Sequence, residues 1–435
     1  MESKMTKVIT YGTFDLLHYG HVRLLERAKE LGDYLIVGVT AEDFDKTRGK
    51  INVEQSLVER MDAVRATGLA DEIIVEEYEG QKIDDIRRYG VDIFTVGSDW
   101  VGKFDYLNEY CKVVYLERTQ GVSSTEIRSE RQTLKVGFVG KGPVLEKYLK
   151  ESSYVNGMES VGCIPSTDFE DGSFWASYND LLGKADAVYL STDPKGHKAE
   201  VEAALNAGVH VLCESPIAET ESECSSLFEI ANTRGLVLMD AIKTAYSTAY
   251  ARLLLLVKSG RIGRVVSVDS TCTSLEKNPG VQGALECWGP TALLPIVQIL
   301  GDRWDESSYA ALRLENEDSY SFVKGNYNYK GATASFRVAS SAKSEGELII
   351  SGTEGYIYVP APWWKTDYFE IRRENQNDNR RYYYQLEGEG IRYQLVAFAR
   401  AVESKKPYSD IAIDDSLAIC RLFEEFYSMH SVYEM

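Results

Sequence analysis

Histidine and cysteine are scarce in this chain: 435 residues hold five His and seven Cys. The cysteines (Cys111, Cys163, Cys213, Cys224, Cys272, Cys287 and Cys420) are scattered, odd in number and never spaced C-x-x-C. That pattern argues against a structural zinc site or a disulfide framework, and it leads us to expect reduced thiols in a cytoplasmic protein. Basic charge is in deficit, with 48 Lys and Arg against 67 Asp and Glu, a net charge of −19. Such a balance disfavours nucleic acid or an anionic membrane as the main partner. The longest apolar run, Leu253 to Val257, is far too short to span a bilayer. No apolar leader-type region precedes the first strand signal, and there is no low-complexity segment or repeat of 20–50 residues. The length suffices for two or three domains with substantial cores.

The chemistry concentrates in Thr10-Tyr11-Gly12-Thr13-Phe14-Asp15-Leu16-Leu17-His18-Tyr19-Gly20-His21. Lys7 to Tyr11 before it reads as a β-branched strand, and Val22 to Leu31 after it has helical periodicity, with Leu24, Leu25, Ala28 and Leu31 on one stripe. A Gly-containing turn thus joins the first strand of a parallel sheet to a helix N-terminus. Unpaired N–H groups and the helix dipole make such a place suited to phosphate. His18 and His21 share a face of that helix start, and Gly20 lets backbone approach a ligand. Two imidazoles there can donate hydrogen bonds to charge building on phosphorus.

This stretch resembles the H-x-G-H signature of the cytidylyltransferase/adenylyltransferase superfamily. The longer run Tyr11 to His21 resembles, within it, the glycerol-3-phosphate cytidylyltransferases. The resemblance extends over residues 5–130. Strands are expected at Lys7–Tyr11, Tyr34–Thr40, Glu72–Val75, Ile93–Val96 and Lys112–Tyr115, with helices such as Gln55–Thr67 and Lys82–Tyr89 between them. After the second strand, Lys46, Arg48 and Lys50 surround Gly49 and would clamp a triphosphate. Lys46 is the one taken as catalytic and as touching the second substrate. Glu59-Arg60 resembles the family's acidic-Arg pair, so Arg60, with Asp15, is expected to bind substrate; Gly68 departs from an Arg of the family pattern. After the fourth strand, Gly97, Asp99 and Trp100 resemble a Gly-Asp-Asp-Trp segment in which the carboxylate meets ribose or base and the indole stacks; Ser98 replaces one Asp. After the fifth, Arg118, Thr119, Ser123 and Ser124 fit the motif Arg-Thr-x-Gly-Ile-Ser-Thr-Thr and would hold the β and γ phosphates at a second helix start.

The resemblance therefore implies His18, His21, Arg118 and Lys46 as catalytic residues. Tyr11, Gly12, Thr13, Phe14, Arg48, Lys50, Gly97, Asp99, Trp100, Thr119, Ser123 and Ser124 would contact CTP. The implied reaction moves CMP from CTP, carried with Mg²⁺, to a glycerol phosphate. Glycerol 3-phosphate is the default acceptor, with glycerol 2-phosphate, ribitol phosphate or another small phosphate open. The product CDP-glycerol would feed teichoic acid or capsule synthesis. No metal site formed by the protein itself is expected.

A second α/β region opens at Thr133 to Gly142. The segments Asp186 to His197, Ala203 to Pro216, Ile350 to Pro360, Gly388 to Phe398 and Asp415 to Arg421 resemble the Gfo/Idh/MocA oxidoreductases. That implies a Rossmann domain followed by an α+β domain with a large, mostly antiparallel sheet. We expect domains at 1–131, 132–255 and 256–435. The family's redox chemistry is not matched. Glu214-Ser215-Pro216 stands where the family has Glu-Lys-Pro, and Cys287 and Thr291 stand where it has acid–base groups. Leu145, following Gly140, Gly142 and Pro143, replaces the third small residue of the dinucleotide turn, and Ile164 falls at the ribose-binding acidic position with Asp168 too far on. NAD(P) is therefore not expected to be used. A non-catalytic, oligomerising second half is preferred to a bifunctional transferase–reductase, with a homodimer or homotetramer expected. Trp363, Trp364 and Tyr382 to Tyr384 are candidates for an interface, with core or groove placement equally open, and His197 and His210 are read as structural.

Overall fold

The computed structural model describes residues 5–41, 53, 55–77, 80–117, 133–155, 157–165, 172–275, 283–313, 319–340, 342–384, 386, 388–404, 409–428 and 433–434. It divides into two units, Met1–Gln132 and Thr133–Met435.

In the first unit, β1 (Lys7–Gly12), β2 (Tyr34–Thr40), β3 (Glu72–Glu76), β4 (Ile93–Gly97) and β5 (Lys112–Leu116) form a parallel sheet. Their order, β3-β2-β1-β4-β5, follows from the sequence pattern. Apolar strand residues alternate between two buried faces, as a sheet covered on both sides requires. Val8, Leu35, Val37 and Val39 pack with α1 (Tyr19–Lys29) and α2 (Leu57–Ala66) through Leu25, Ala28 and Val64. Ile9, Tyr11, Ile36, Phe94 and Val96 pack on the other face with α3 (Gln81–Tyr89) through Ile86. The chain winds outward through β1, β2 and β3, then crosses to β4 on the far side of β1. The strand order therefore reverses between β1 and β4, and the crevice beyond their carboxyl ends is where such a sheet receives ligands.

The expected strands all appear, within a residue or two at each end. The first helix starts earlier than its apolar stripe, at Tyr19 rather than Val22. The reason is local: His18 caps it, its Nδ1 accepting the Gly20 N–H at 3.1 Å. Ser56 and Glu59 close a reciprocal capping box on α2.

The second unit begins with a parallel sheet of order β10-β9-β8-β6-β7. Its strands are β6 (Leu134–Gly140), β7 (Met158–Pro165), β8 (Ala187–Ser191), β9 (His210–Cys213) and β10 (Leu238–Asp240). It carries α4 (Pro143–Ser152), α5 (Gly172–Leu182), α6 (Pro194–Asn206) and α7 (Glu221–Arg234). After α8 (Thr248–Lys258) comes β11 (Val265–Thr273), then α9 (Ala284–Leu300). The chain continues through β12 (Glu306–Arg313), β13 (Tyr320–Tyr329), β14 (Ala332–Ala339), β15 (Leu348–Gly352), β16 (Gly355–Val359), β17 (Tyr368–Arg372) and β18 (Arg380–Tyr383). It ends with α10 (Ile391–Ser404), α11 (Ile413–Ser428) and β19 (Tyr433–Glu434). Strands β11 to β19 make one nine-stranded sheet, mostly antiparallel. Within it, β11 pairs with β14, and β12 with β19, in parallel.

The aromatic residues divide between core and edge. Trp363 and Trp364 are 2% and 7% exposed and pack on Tyr250 and Trp288, which is core placement. Tyr382 and Tyr383 lie on β18, at one end of the large sheet, with Tyr383 exposed. His197 is fully buried with Nδ1 2.8 Å from the Pro216 carbonyl, and His210 Nδ1 accepts the Val237 N–H at 2.9 Å. Both contacts suit structural roles.

Candidate active site

The turn after β1 holds an unusual backbone. Phe14 and Leu16 adopt φ of 52° and 48°, a left-handed region that side chains with Cβ rarely enter. Such strain persists only where surrounding contacts impose it. Here they do. Phe14 is buried in the core on the α1 face, so the turn is anchored from within. Asp15 is buried too, and its Oδ1 accepts the Gln55 N–H at 3.0 Å while Gln55 Oε1 accepts the Leu16 N–H at 2.8 Å.

Beneath the turn lies Arg60, fully buried on α2. Its Nη1 donates to the carbonyls of Thr13 and Thr40, each at 2.8 Å, and its Nε donates to the Gln55 carbonyl at 3.0 Å. One guanidinium therefore ties the ends of β1 and β2 to the start of α2. Only its planar fork offers donors in those three directions at once. These contacts place Arg60 under the turn, holding main chain.

On this base the two imidazoles stack, with ring centroids 4.0 Å apart and planes 23° from parallel. Phe14 meets His21 edge-on at 5.6 Å. Because His18 Nδ1 accepts from Gly20, a neutral His18 carries its proton on Nε2. The capping bond thereby sets the tautomer and leaves a donor on the far ring nitrogen.

Across the switch point, β4 ends in Gly97, and Ser98–Trp100 forms a short 3-10 turn with Asp99 exposed and Trp100 half-buried. A small recess between the strand ends is lined by Tyr11, Gly12, Thr13, Lys82, Val96, Trp100 and Phe104. Five of the expected residues, Tyr11, Gly12, Thr13, Gly97 and Trp100, are thus brought to the β1 and β4 ends, beside the imidazole turn. Lys46, Arg48, Lys50, Arg118, Thr119, Ser123 and Ser124 lie outside the described residues.

The recess also contains a residue that sequence reading missed. Lys82 arrives from α3, is 7% exposed, and holds an ion pair with the fully buried Glu76. Its ammonium sits 4.6 Å from the Tyr11 ring centroid, and the Tyr11 hydroxyl donates to Asp85 Oδ2 at 2.8 Å. Burial, then the Asp85 charge, push the Tyr11 phenol far above its ordinary pKa, so it stays a neutral donor. No local motif marks Lys82; its place depends on strand order. Among the described residues, no group of three or more His, Cys, Asp or Glu side chains could hold a metal.

Comparison with known proteins bears on this geometry. A cytidylyltransferase-like family model matches residues 9–130. The glycerol-3-phosphate cytidylyltransferase of Bacillus spizizenii is 50% identical over 130 residues, covering 30% of this chain and all of that protein. The chain belongs to the cytidylyltransferase-like family. The enzyme of the same name from Staphylococcus aureus is 45% identical, over 29% of this chain and 95% of its own. At this identity to full-length transferases, the first unit is a nucleotidyltransferase.

The second unit matches a different family model, described as oxidoreductase family, NAD-binding Rossmann fold, over residues 134–241. A 3-ketoreductase from Actinomadura kijaniata, solved with TDP-benzene and NADP, shares its fold. The likeness has a TM-score of 0.60 at 20% identity, over 69% of this chain and 98% of that one. The chain is thus a cytidylyltransferase-like unit fused to an oxidoreductase-like one.

The dinucleotide turn of the second unit keeps its first two glycines, Gly140 and Gly142, both at positive φ, with Pro143 opening α4. Leu145 is buried where the fingerprint has a small residue. Ser215, at the family's lysine position, is buried and donates to Asp240 Oδ2 at 3.3 Å. Cys287 and Thr291 sit half-buried on α9. Among the described residues these positions supply no cationic lysine and no imidazole for proton transfer at the expected hydride site. Among the described residues, no helix is long and apolar enough to cross a membrane.

Proposed function

We propose that the first unit transfers CMP from CTP to a glycerol phosphate, giving CDP-glycerol and pyrophosphate. The observation that supports this most is the stacked His18–His21 pair at the N-terminus of α1, beside the β1/β4 crevice. An acceptor phosphate oxygen attacks the α-phosphorus of CTP in line, and pyrophosphate leaves. Negative charge grows on the equatorial oxygens, where imidazole N–H donors and the helix dipole stabilise it. His18 Nε2–H, oriented by the Gly20 cap, is one such donor.

Trp100 offers an indole face for the cytosine, and Asp99 an acceptor for ribose or the base amino group. Gly12 and Gly97 let the backbone close on the nucleotide, while Tyr11, Thr13 and Phe14 shape the turn. Lys46, Arg48, Lys50, Arg118, Thr119, Ser123 and Ser124 are assigned to the triphosphate and its developing charge on their sequence pattern alone. We assign Asp15 and Arg60, first expected as substrate contacts, to positioning: each supports the strained turn from below. Magnesium enters as part of the substrate, bridging the triphosphate with waters retained, as this small cation prefers.

Glycerol 3-phosphate is the proposed acceptor, with glycerol 2-phosphate and ribitol phosphate as its competitors. The product suits teichoic acid or capsule synthesis in the cytoplasm. Pyrophosphate release with CTP and a panel of phosphorylated polyols tests the assignment. The reading expects glycerol 3-phosphate to give the largest kcat/KM and CDP-glycerol as the product mass. No turnover with any phosphorylated polyol would sink it.

We further propose that the second unit performs no redox step and serves assembly, through edge strand β18 and its exposed Tyr383. A bifunctional transferase–reductase draws support from the second unit's oxidoreductase fold. Titrating the whole protein with NADH separates the two: cofactor fluorescence is expected to remain unchanged, and saturable enhancement would favour the bifunctional reading.

A further inference from the structure

A second cluster of charge lies in the second unit, far in sequence from the imidazoles. Glu389 accepts from three lysines brought by three separate elements. Lys147 comes from α4 and reaches Oε1 and Oε2 at 3.0 and 3.1 Å. Lys243 comes from the 3-10 turn after β10 and reaches Oε2 at 2.6 Å. Lys365 comes from the 3-10 turn after β16 and reaches Oε1 at 2.9 Å. Nearby, Arg392 is matched separately by Glu151 at 3.0 Å.

Three cations surround one carboxylate, and the neighbouring Glu214, with its carboxyl pushed up by burial, offsets Lys243 only in part, so positive charge is in excess here in a chain whose overall charge is −19. Ammonium groups pressed together repel, so such a cage is stable only with an anion inside. A single carboxylate under-fills it. A phosphoryl group carries close to two negative charges and three oxygens, one for each lysine, and lysine binds phosphate as a point charge.

The carboxylate is also delivered by a strained backbone. Gly388, Glu389 and Gly390 all have positive φ, at 58°, 54° and 89°. Side chains avoid that region, and Glu389 lies between two glycines that tolerate it. A Cβ on Gly388 would fall 2.3 Å from Glu151 Oε2, and one on Gly390 would fall 2.6 Å from the Lys243 carbonyl. The loop is fitted so that this one side chain enters the cage. Lys243 follows β10, and Lys147 sits in the helix after β6, so the cage lies at the carboxyl edge of the parallel sheet, where α/β folds take ligands. We infer that Lys147, Lys243 and Lys365 form a phosphoryl-binding site of the second unit, which Glu389 occupies as an internal stand-in and an incoming phosphomonoester displaces.

Electrostatics agree with the geometry. Burial opposes ionisation of Glu389, but the hydrogen bonds and charge of Lys243 and Lys365 outweigh it and hold the carboxyl well below the usual carboxylate range. Burial pulls the Lys243 ammonium down, against the pull of Glu389. Burial pushes the Glu214 carboxyl up to about 7, outweighing the pull of the Lys243 charge that it feels; it accepts the Tyr189 hydroxyl at 2.6 Å.

Calorimetric titration of the full chain with inorganic phosphate, at constant ionic strength set with chloride, tests the inference. Glu389→Gln is expected to bind phosphate at least tenfold more tightly than the native chain. Adding Lys365→Met to that variant should remove most of the gain. Glycerol 3-phosphate, run in parallel, identifies an organic ester as the favoured source if its gain exceeds that of inorganic phosphate. CTP turnover of Glu389→Gln should stay at the native level, so failure of the transfer assignment would show separately. Should Glu389→Gln lose stability, phosphate must restore its Tm beyond what chloride does. Equal phosphate affinity in native and variant chains, a gain that survives Lys365→Met, or no phosphate-specific rise in Tm would overturn the proposal.

Discussion

The His18 and His21 rings stack 4.0 Å apart at the first turn of α1, and the cap that His18 makes on Gly20 puts the proton of its neutral ring on Nε2. Replacing His18 with Ala removes both the cap and the donor. We expect kcat for CTP to fall by about 10² to 10³. The helix should lose only about 1 kcal/mol from the missing cap. Steady-state kinetics and chemical denaturation on one preparation check the pair of effects. A large loss of stability with little loss of turnover would contradict the catalytic role.

Arg60 makes a complementary case. Its guanidinium holds the carbonyls of Thr13, Thr40 and Gln55 in a fully buried position. Arg60→Ala should destabilise the first unit by about 3 kcal/mol or more, because buried carbonyls lose charged donors and a cavity opens. Arg60→Lys should recover little, since one ammonium cannot span three directions. Urea denaturation followed by circular dichroism measures both.

The Lys82–Glu76 pair can be dissected. Removing Lys82 alone strands a buried carboxylate, so Lys82→Met should cost about 3–5 kcal/mol. Lys82→Met with Glu76→Gln should regain most of that stability. If Lys82 also meets the nucleotide in the recess it lines, the double variant stays slow with a raised KM for CTP. Native turnover in the stable double variant would confine Lys82 to structure.

Three buried carboxyls make the second unit sensitive to pH. Burial pushes Glu200, Glu214 and Asp240 each up to about 7. In the unfolded chain they ionise near pH 4. Their stabilising contribution is therefore complete below pH 4 and is lost as the pH rises through about 7, because the unfolded state releases protons that the folded state keeps. Calorimetric Tm should fall by several degrees between pH 5 and pH 8. Glu200→Gln should flatten that slope, and an unchanged slope would contradict the assignment.

Much of the fold is written in local pattern. β-branched runs separated by amphipathic stretches mark the five strands of the first unit, and the Gly-Thr-Phe-Asp run before His18 marks the turn. What local pattern cannot carry is convergence. Lys82 reaches Tyr11 only because β3 and β4 lie on opposite sides of β1. Arg60 resembles a ligand-binding arginine in sequence, yet its burial is decided by how α2 packs under the turn. Trp363 and Trp364 read equally as interface or core until the contacts with Tyr250 and Trp288 are seen. Glu389 lies in a segment that resembles the oxidoreductases, but nothing in that pattern points to the three lysines at positions 147, 243 and 365 that it meets.

A crystal soaked with CTP and magnesium tests most directly where the nucleotide binds. It should show the α-phosphate within hydrogen-bonding reach of the His18 and His21 rings, with cytosine near Trp100. Nucleotide bound elsewhere, with the crevice between β1 and β4 empty, would contradict it.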